Sequence, residues 1–235
     1  MILDEIETIQ HLLTTGKSLA RYGDGELKIC MGKDAISQPA SPELTRRLRE
    51  ILKAEQDKVL VGVPRLFPTM PEKKMGFWLK YRSNHYLKLF DHSLMYGSAF
   101  VTRPDSAPAI DNPHYYNLVK LLWKGKRVLL YQGAGRRFLK AKPDLFETAK
   151  SHQVLYGPQY DAFSEYHTIY NILDQAMRDF DLVVLSLGAC ATVLAYDLGQ
   201  AGIQALDLGH LGMFYAHIHP KARGYNGEAY PKDGK

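Results

Sequence analysis

Two acidic side chains, Asp24 and Glu26, follow an arginine and alternate with glycine in Arg21-Tyr-Gly-Asp-Gly-Glu26. Carboxylates that converge on one point can hold a hard divalent cation, and such a cation can carry a diphosphate. Spacing decides whether they converge. On a helix, residues i and i+2 point roughly 200° apart. At a strand end or in a glycine-permitted turn, both can face the same point. The flanking glycines therefore predict that the pair leaves the end of a short strand, about Ser18 to Tyr22. Roughly one D-x-E arises by chance in a chain this long, so the motif takes its meaning from what surrounds it.

Other chemistry-bearing residues recur where strands should end. Arg136 and Arg137 follow Gly133-Ala-Gly135, where a guanidinium fork could grip a diphosphate, although paired arginines are more often solvated surface charges. Arg103 is a similar candidate, and Arg21 either joins a phosphate site or buttresses a carboxylate. Gly188-Ala-Cys-Ala-Thr192 opens a helix whose free N–H groups suit a phosphate or a ribose hydroxyl, and equally suit a plain tight turn. The spacing is neither a dinucleotide fingerprint nor a P-loop. In Asp207-Leu-Gly-His210, Asp207 could accept sugar hydroxyls and His210 titrates where a general base is useful. A satisfied strand-end histidine is the plainer reading. His217 and His219 lack a third ligand at an informative spacing.

The elements that must position these residues follow from periodicity. Apolar residues from Ile2 to Leu13 mark an amphipathic helix ending near Gly16. Ser41-Pro42-Glu43 starts a helix to about Glu55, and Val59 to Val63 is a buried strand. Phe77 to Phe90 reads as a helix, Met95 to Thr102 as a strand, and Pro104 to Pro113 as a loop. A helix from Asn112-Pro113 to about Trp123 precedes a strand at Arg127 to Tyr131. A strand at Gln153 to Tyr156, a helix from Asp161 to about Phe180 and a strand at Leu182 to Leu187 follow. A helix to about Gln200 and a strand at Gln204 to Leu208 close the series. Alternation of this kind predicts an α/β, Rossmann-like fold, a mostly parallel sheet flanked by helices. Ligands then bind beyond the carboxyl ends of the strands, where Asp24, Gly133, Gly188 and Gly209 all fall.

The 235 residues, 46% hydrophobic and 23% charged, predict a single soluble domain spanning residues 1–235. No apolar run approaches the roughly 18 residues that span a bilayer, and the acidic N-terminus does not read as a secretory signal. Cys30 and Cys190, far apart in sequence, suit reduced thiols and a cytoplasmic location. A net charge of +5 favours anionic partners, but the basic residues are dispersed. No nucleic-acid arm is expected; peripheral association with a membrane fits the charge.

Five segments taken in order resemble the GT-D glycosyltransferases, a bacterial family once catalogued as domain of unknown function 1792. They are Arg21-Tyr-Gly-Asp-Gly-Glu26, Phe100-Val-Thr-Arg-Pro104, Gly133-Ala-Gly-Arg-Arg137 with Asp144-Leu-Phe146, Ala191-Thr-Val-Leu-Ala-Tyr-Asp-Leu198, and Ala205-Leu-Asp-Leu-Gly-His210. The sequence departs from the family pattern at Ala189 and at Leu211-Gly-Met-Phe-Tyr215. The resemblance implies transfer of a sugar from a nucleotide donor, usually a UDP-sugar, to a glycan or glycoconjugate acceptor, with Mn²⁺ or Mg²⁺. It assigns Asp24 and Glu26 to the metal–diphosphate, and Arg103 and Arg137 to the donor site by charge and location. Arg21, Arg136, Gly188 and Thr192 are further donor-site candidates, and Asp207 and His210 are candidates for a catalytic base. A metal-dependent nucleotide phosphohydrolase or a non-catalytic nucleotide-binding module would draw on the same features.

Overall fold

A computed structural model of the protein describes residues 1–65, 71–135, 138 and 144–218, without the side chains of Arg82, Asn84, His85, His217 and Ile218. Its strands are β1 (Ser18–Arg21), β2 (Val59–Val63), β3 (Gly97–Ser98), β4 (Arg127–Gly133), β5 (Ser151–Gly157), β6 (Leu182–Ser186) and β7 (Ala205–Asp207). They form one sheet in the order β3-β2-β1-β7-β6-β4-β5, and every pairing is parallel. The expected α/β architecture is what forms, and a parallel sheet gathers the carboxyl ends of all its strands along one edge.

The helices are α1 (Glu5–Thr15), α2 (Asp24–Cys30), α3 (Pro42–Ile51), α4 (Glu72–Leu79), α5 (Asn84–Leu87), α6 (Pro113–Lys120), α7 (Tyr166–Ala176), α8 (Ala189–Gln200) and α9 (Leu211–Ile218). The central strands are apolar at successive positions because helices cover both faces. Leu129, Tyr131, Val183 and Leu185 pack with Ile169 and Leu173 of α7 and Leu194 and Leu198 of α8. Val128, Leu130, Val184 and Leu206 belong to the larger core that contains Tyr116, Trp123, Phe146 and Tyr215.

Several boundaries differ from the sequence expectation, each for a local reason. The first helix begins at Glu5 because Asp4 caps it: Asp4 Oδ1 accepts from the Glu7 N–H and Glu7 Oε2 from the Asp4 N–H, each at 2.8 Å. Ile2 instead bridges to Tyr96. Helix α3 starts at the expected Ser41 cap but stops at Ile51, short of Glu55. The Phe77–Phe90 helix is interrupted where Ser83 turns extended (φ −60°, ψ 150°). The Met95–Thr102 strand shrinks to two residues, because the Ser98 N–H donates to Thr8 Oγ1 and the Ser98 hydroxyl to Glu5. Those bonds tie it to α1 instead of extending the ladder. Helix α9 was not legible from periodicity; it begins as the His210 carbonyl accepts from the Met213 and Phe214 N–H groups.

The correction with most consequence concerns Asp24 and Glu26. They do not leave a strand in a turn; they occupy the first turn of α2. Gly23, extended at φ −93° and ψ −166°, serves as the N-cap. Having no side chain of its own, it leaves its N–H to the Glu26 carboxylate, at 2.6 Å. Two acids at the positive end of a helix also stabilise that end.

Candidate active site

The chain passes outward from β4 to β5 and inward from β6 to β7, so the loops leaving β4 and β6 part from each other. That is the topological switch point at which open α/β sheets bind ligands. A crevice of that kind would run outside the strand ends, from Gly133-Ala-Gly135 and Gly188 past β7 to the end of β1.

Under the β1 end lies a buried charge cluster. Arg21, the last residue of β1, is 8% exposed, Glu26 7% and Asp207 2%. Arg21 Nη2 stands 3.9 Å from Asp207 Oδ1. It threads between two glycines: a Cβ on Gly209, whose φ is +42°, would lie 2.4 Å from Nη2. A Cβ on Gly23 would lie 3.6 Å from Nη1. Thr192, fully buried, directs its hydroxyl at the Arg21 carbonyl (3.1 Å) and Asp207 Oδ2 (3.2 Å).

Two carboxylates and one guanidinium in a dry site leave one negative charge uncompensated. Burial therefore pushes Asp207 up to about 7, with Glu26 adding to the rise and Arg21 opposing it. Burial raises Glu26 as well, against Arg21 and the hydrogen bond from Gly23. Sequence reasoning assigned Arg21 and Thr192 to the donor, Glu26 to the metal and Asp207 to base catalysis. The structure brings all four together in one buried cluster at the β1 and β7 ends. Arg21 stands where it can buttress the two carboxylates.

The rim is different. Asp24, at the head of α2, keeps 32% of its side chain exposed and pairs with Lys28 at 3.1 Å. A partly exposed i,i+4 pair of this kind is weak enough for a ligand to displace. Arg103 follows the buried turn Ala99–Thr102. Its Nε and Nη2 donate to Asp105 at 2.8 and 2.9 Å, and its guanidinium lies 5.8 Å from the Phe214 ring centre. Lys74 also binds Asp105. Burial opposes charge on Arg103, but Asp105, and then the more distant Asp24, raise its pKa. Burial likewise works against the Asp105 carboxylate, yet its two cationic partners hold it down at about 2. Arg103 is thus a fixed cation in the field of Asp24. The sequence did not single out Asp105, whose signal was its place two residues after an arginine.

Of the remaining candidates, Gly188 (φ +60°) caps α8 at the end of β6, and His210, half-buried, immediately precedes α9. Arg136 and Arg137 lie outside the described residues, as does His219. Among the described residues no group of three or more His, Cys, Asp or Glu could hold a metal ion. Of the two acids of the D-x-E motif, Asp24 is the one whose carboxylate is partly exposed. That suits a cation completing its shell with phosphate oxygens and water, as Mg²⁺ commonly does, rather than a cage built by the protein. No helix among the described residues is long and apolar enough to cross a membrane.

Comparison with known proteins agrees with this fold. Residues 19–224 match the family model described as "Glycosyltransferase GT-D fold". A "Probable glycosyl transferase Gly" of Streptococcus gordonii is 31% identical over 91% of the chain. "Glycosyltransferase GlyD" of Streptococcus pneumoniae serotype 4 is 30% identical over 89%. The chain spans only 32% and 26% of the lengths of these relatives. A solved structure described as domain of unknown function 1792 with "a distinct glycosyltransferase fold" superposes with a TM-score of 0.82 at 32% identity, covering 91% of this chain and 79% of that one. A "New Glycosyltransferase (DUF1792)" from Streptococcus sanguinis superposes with the same TM-score at 30% identity, covering 91% and 82%.

Proposed function

Because the chain belongs to the family of GT-D-fold glycosyltransferases, we propose that it transfers a sugar from a UDP-linked donor to a hydroxyl of a glycan or glycoconjugate, with Mn²⁺ or Mg²⁺. One observation carries the reading. At the carboxyl edge of the sheet, the partly exposed Asp24 carboxylate lies in the field of a rigidly held cation, Arg103.

Glycosyl transfer lengthens the bond between the anomeric carbon and the diphosphate, so negative charge grows on the leaving oxygens. A bound divalent cation would neutralise part of that charge as a Lewis acid. Asp24 is the residue that would hold it, sharing its shell with the diphosphate. Arg103 is oriented by the two oxygens of Asp105 before any ligand arrives, so it stabilises developing charge without reorganising. Glu26 acts one step back: by capping α2 it fixes the direction in which Asp24 leaves the helix. His210, at the end of the β7 loop, is the candidate base for the acceptor hydroxyl. Arg137 remains a donor-site candidate by charge and position in sequence.

The test is an incubation with a panel of UDP-sugars and Mn²⁺, following release of UDP. Slow donor hydrolysis that disappears in Asp24→Asn is the expected result. Release of inorganic phosphate from simple nucleotides, independent of any sugar, would assign a phosphohydrolase instead. Binding without turnover in the presence of acceptors would assign a nucleotide-binding module.

A further inference from the structure

Asp161 is the one described residue other than glycine with a positive φ, at 50°. It sits on the chain leaving β5, two residues beyond Gln159, whose side chain packs on the glycine turn that leaves β4. The two exits are tied together: the Ala134 N–H donates to the Gly157 carbonyl at 2.8 Å. The Gln159 side chain fills the space over Gly135, where a Cβ would lie 2.9 Å from its Oε1. At φ +80°, Gly135 also has a backbone that only glycine adopts without strain.

The Asp161 carboxylate is held from one side only. Its Oδ1 accepts from Gln38 Nε2 at 2.6 Å. Gln38 is itself 2% exposed and is fixed in turn because its Oε1 accepts from the Phe163 N–H at 3.0 Å. The backbone is pinned as well, with the Asp161 N–H donating to the Ser37 carbonyl at 2.9 Å. Ser37 reaches on to the crevice: its Oγ is 3.1 Å from where a Cβ on Gly188 would stand. Asp161 Oδ2 takes no hydrogen bond from a described residue, and the side chain is only half-buried. A carboxylate oxygen aimed and left open in this way repels phosphate and accepts hydroxyl groups.

In dinucleotide-binding sheets a glycine-rich turn leaves one strand, and an acid farther along the chain takes the ribose hydroxyls. The same juxtaposition recurs here on β4 and β5. We propose that Asp161, aimed by Gln38, hydrogen-bonds the vicinal hydroxyls of the donor's ribose, placing the nucleoside at the β4–β5 end of the crevice and the diphosphate toward Asp24. The assignment rests on the nucleotide-donor reading and adds to it the orientation of the donor.

Calorimetric titration of the whole chain with UDP and with 2′-deoxy-UDP, in the presence of Mn²⁺, tests it. The wild type should bind UDP roughly tenfold more tightly than the deoxy analogue. Asp161→Asn keeps an oxygen for Gln38 and replaces the open oxygen with an amide nitrogen. It should keep its melting temperature and lose the preference. Equal affinity of the wild type for the two nucleotides overturns the assignment without any variant, and so does a preference that survives in Asp161→Asn. Failure of the wild type to bind either nucleotide, or any other nucleoside diphosphate, would instead sink the donor reading itself.

Discussion

Two arginines at the carboxyl edge of the sheet sit in opposite surroundings. Arg21 faces Asp207 and Glu26 in a largely buried space, and its Nε is buried with no hydrogen-bond partner among the described residues. Arg103 has a two-pronged hydrogen bond to Asp105 and keeps a quarter of its side chain exposed. The first pairing holds an excess of carboxylate that the site cannot fully neutralise. The second is satisfied within itself and presents a cation of fixed direction. The D-x-E motif straddles the boundary: Glu26 belongs to the buried cluster, Asp24 to the rim. Two acids one residue apart thus sit in unlike surroundings, one buried and one partly exposed.

The largest effect expected from this contrast is on stability. Arg21→Met removes the only cation of the buried cluster and should cost about 3–5 kcal/mol, measured by urea denaturation near pH 7. A loss below about 1 kcal/mol would mean that the carboxylates are not held by Arg21.

An intermediate effect comes from pH. Asp207 titrates near 3.8 when unfolded and at about 7 when folded, so the folded protein binds its proton more tightly. The stability this contributes is full below about 3.8 and is lost as pH rises through about 7. Asp207→Asn should therefore gain on the wild type by up to about 1.4 kcal/mol per pH unit across that window. Glu26 shifts in the same direction, so the variant's own profile flattens without becoming level. Parallel profiles for the two proteins would remove Asp207 from the cluster's titration.

The smallest effect belongs to the rim. Lys28→Ala breaks a partly exposed i,i+4 pair and should change stability by less than about 0.5 kcal/mol. A loss comparable to that in Arg21→Met would erase the distinction between the two regions.

The sheet was legible because its strands are short apolar runs separated by helical periodicity. Val59–Val63 was bounded to the residue, and Leu182–Ser186 differed only at its end. Strand ends were legible too, which is why Asp24, Gly188 and Asp207 could be placed on one edge. What the sequence hid was depth. Nothing in Arg21-Tyr-Gly-Asp-Gly-Glu26 says that Glu26 turns back to the Gly23 N–H, because that choice depends on α2 starting at Asp24. Burial of Thr192 likewise follows from α8 packing across β1 and β7, a contact between distant parts of the chain. Asp105 and Asp161 were missed because each matters through a partner, Arg103 in one case and Gln38 in the other.

We propose that Asp24, rather than Glu26, would meet a cation and the donor's diphosphate. The most direct measurement is the Mn²⁺ dependence of UDP binding in Asp24→Asn and Glu26→Gln, with urea denaturation of both. Asp24→Asn should lose the enhancement of UDP affinity by Mn²⁺ at unchanged stability. Glu26→Gln should keep that enhancement, its altered stability reporting on the buried cluster. Equal loss of the Mn²⁺ effect in both variants, with neither destabilised, would contradict the account and return Glu26 to the metal.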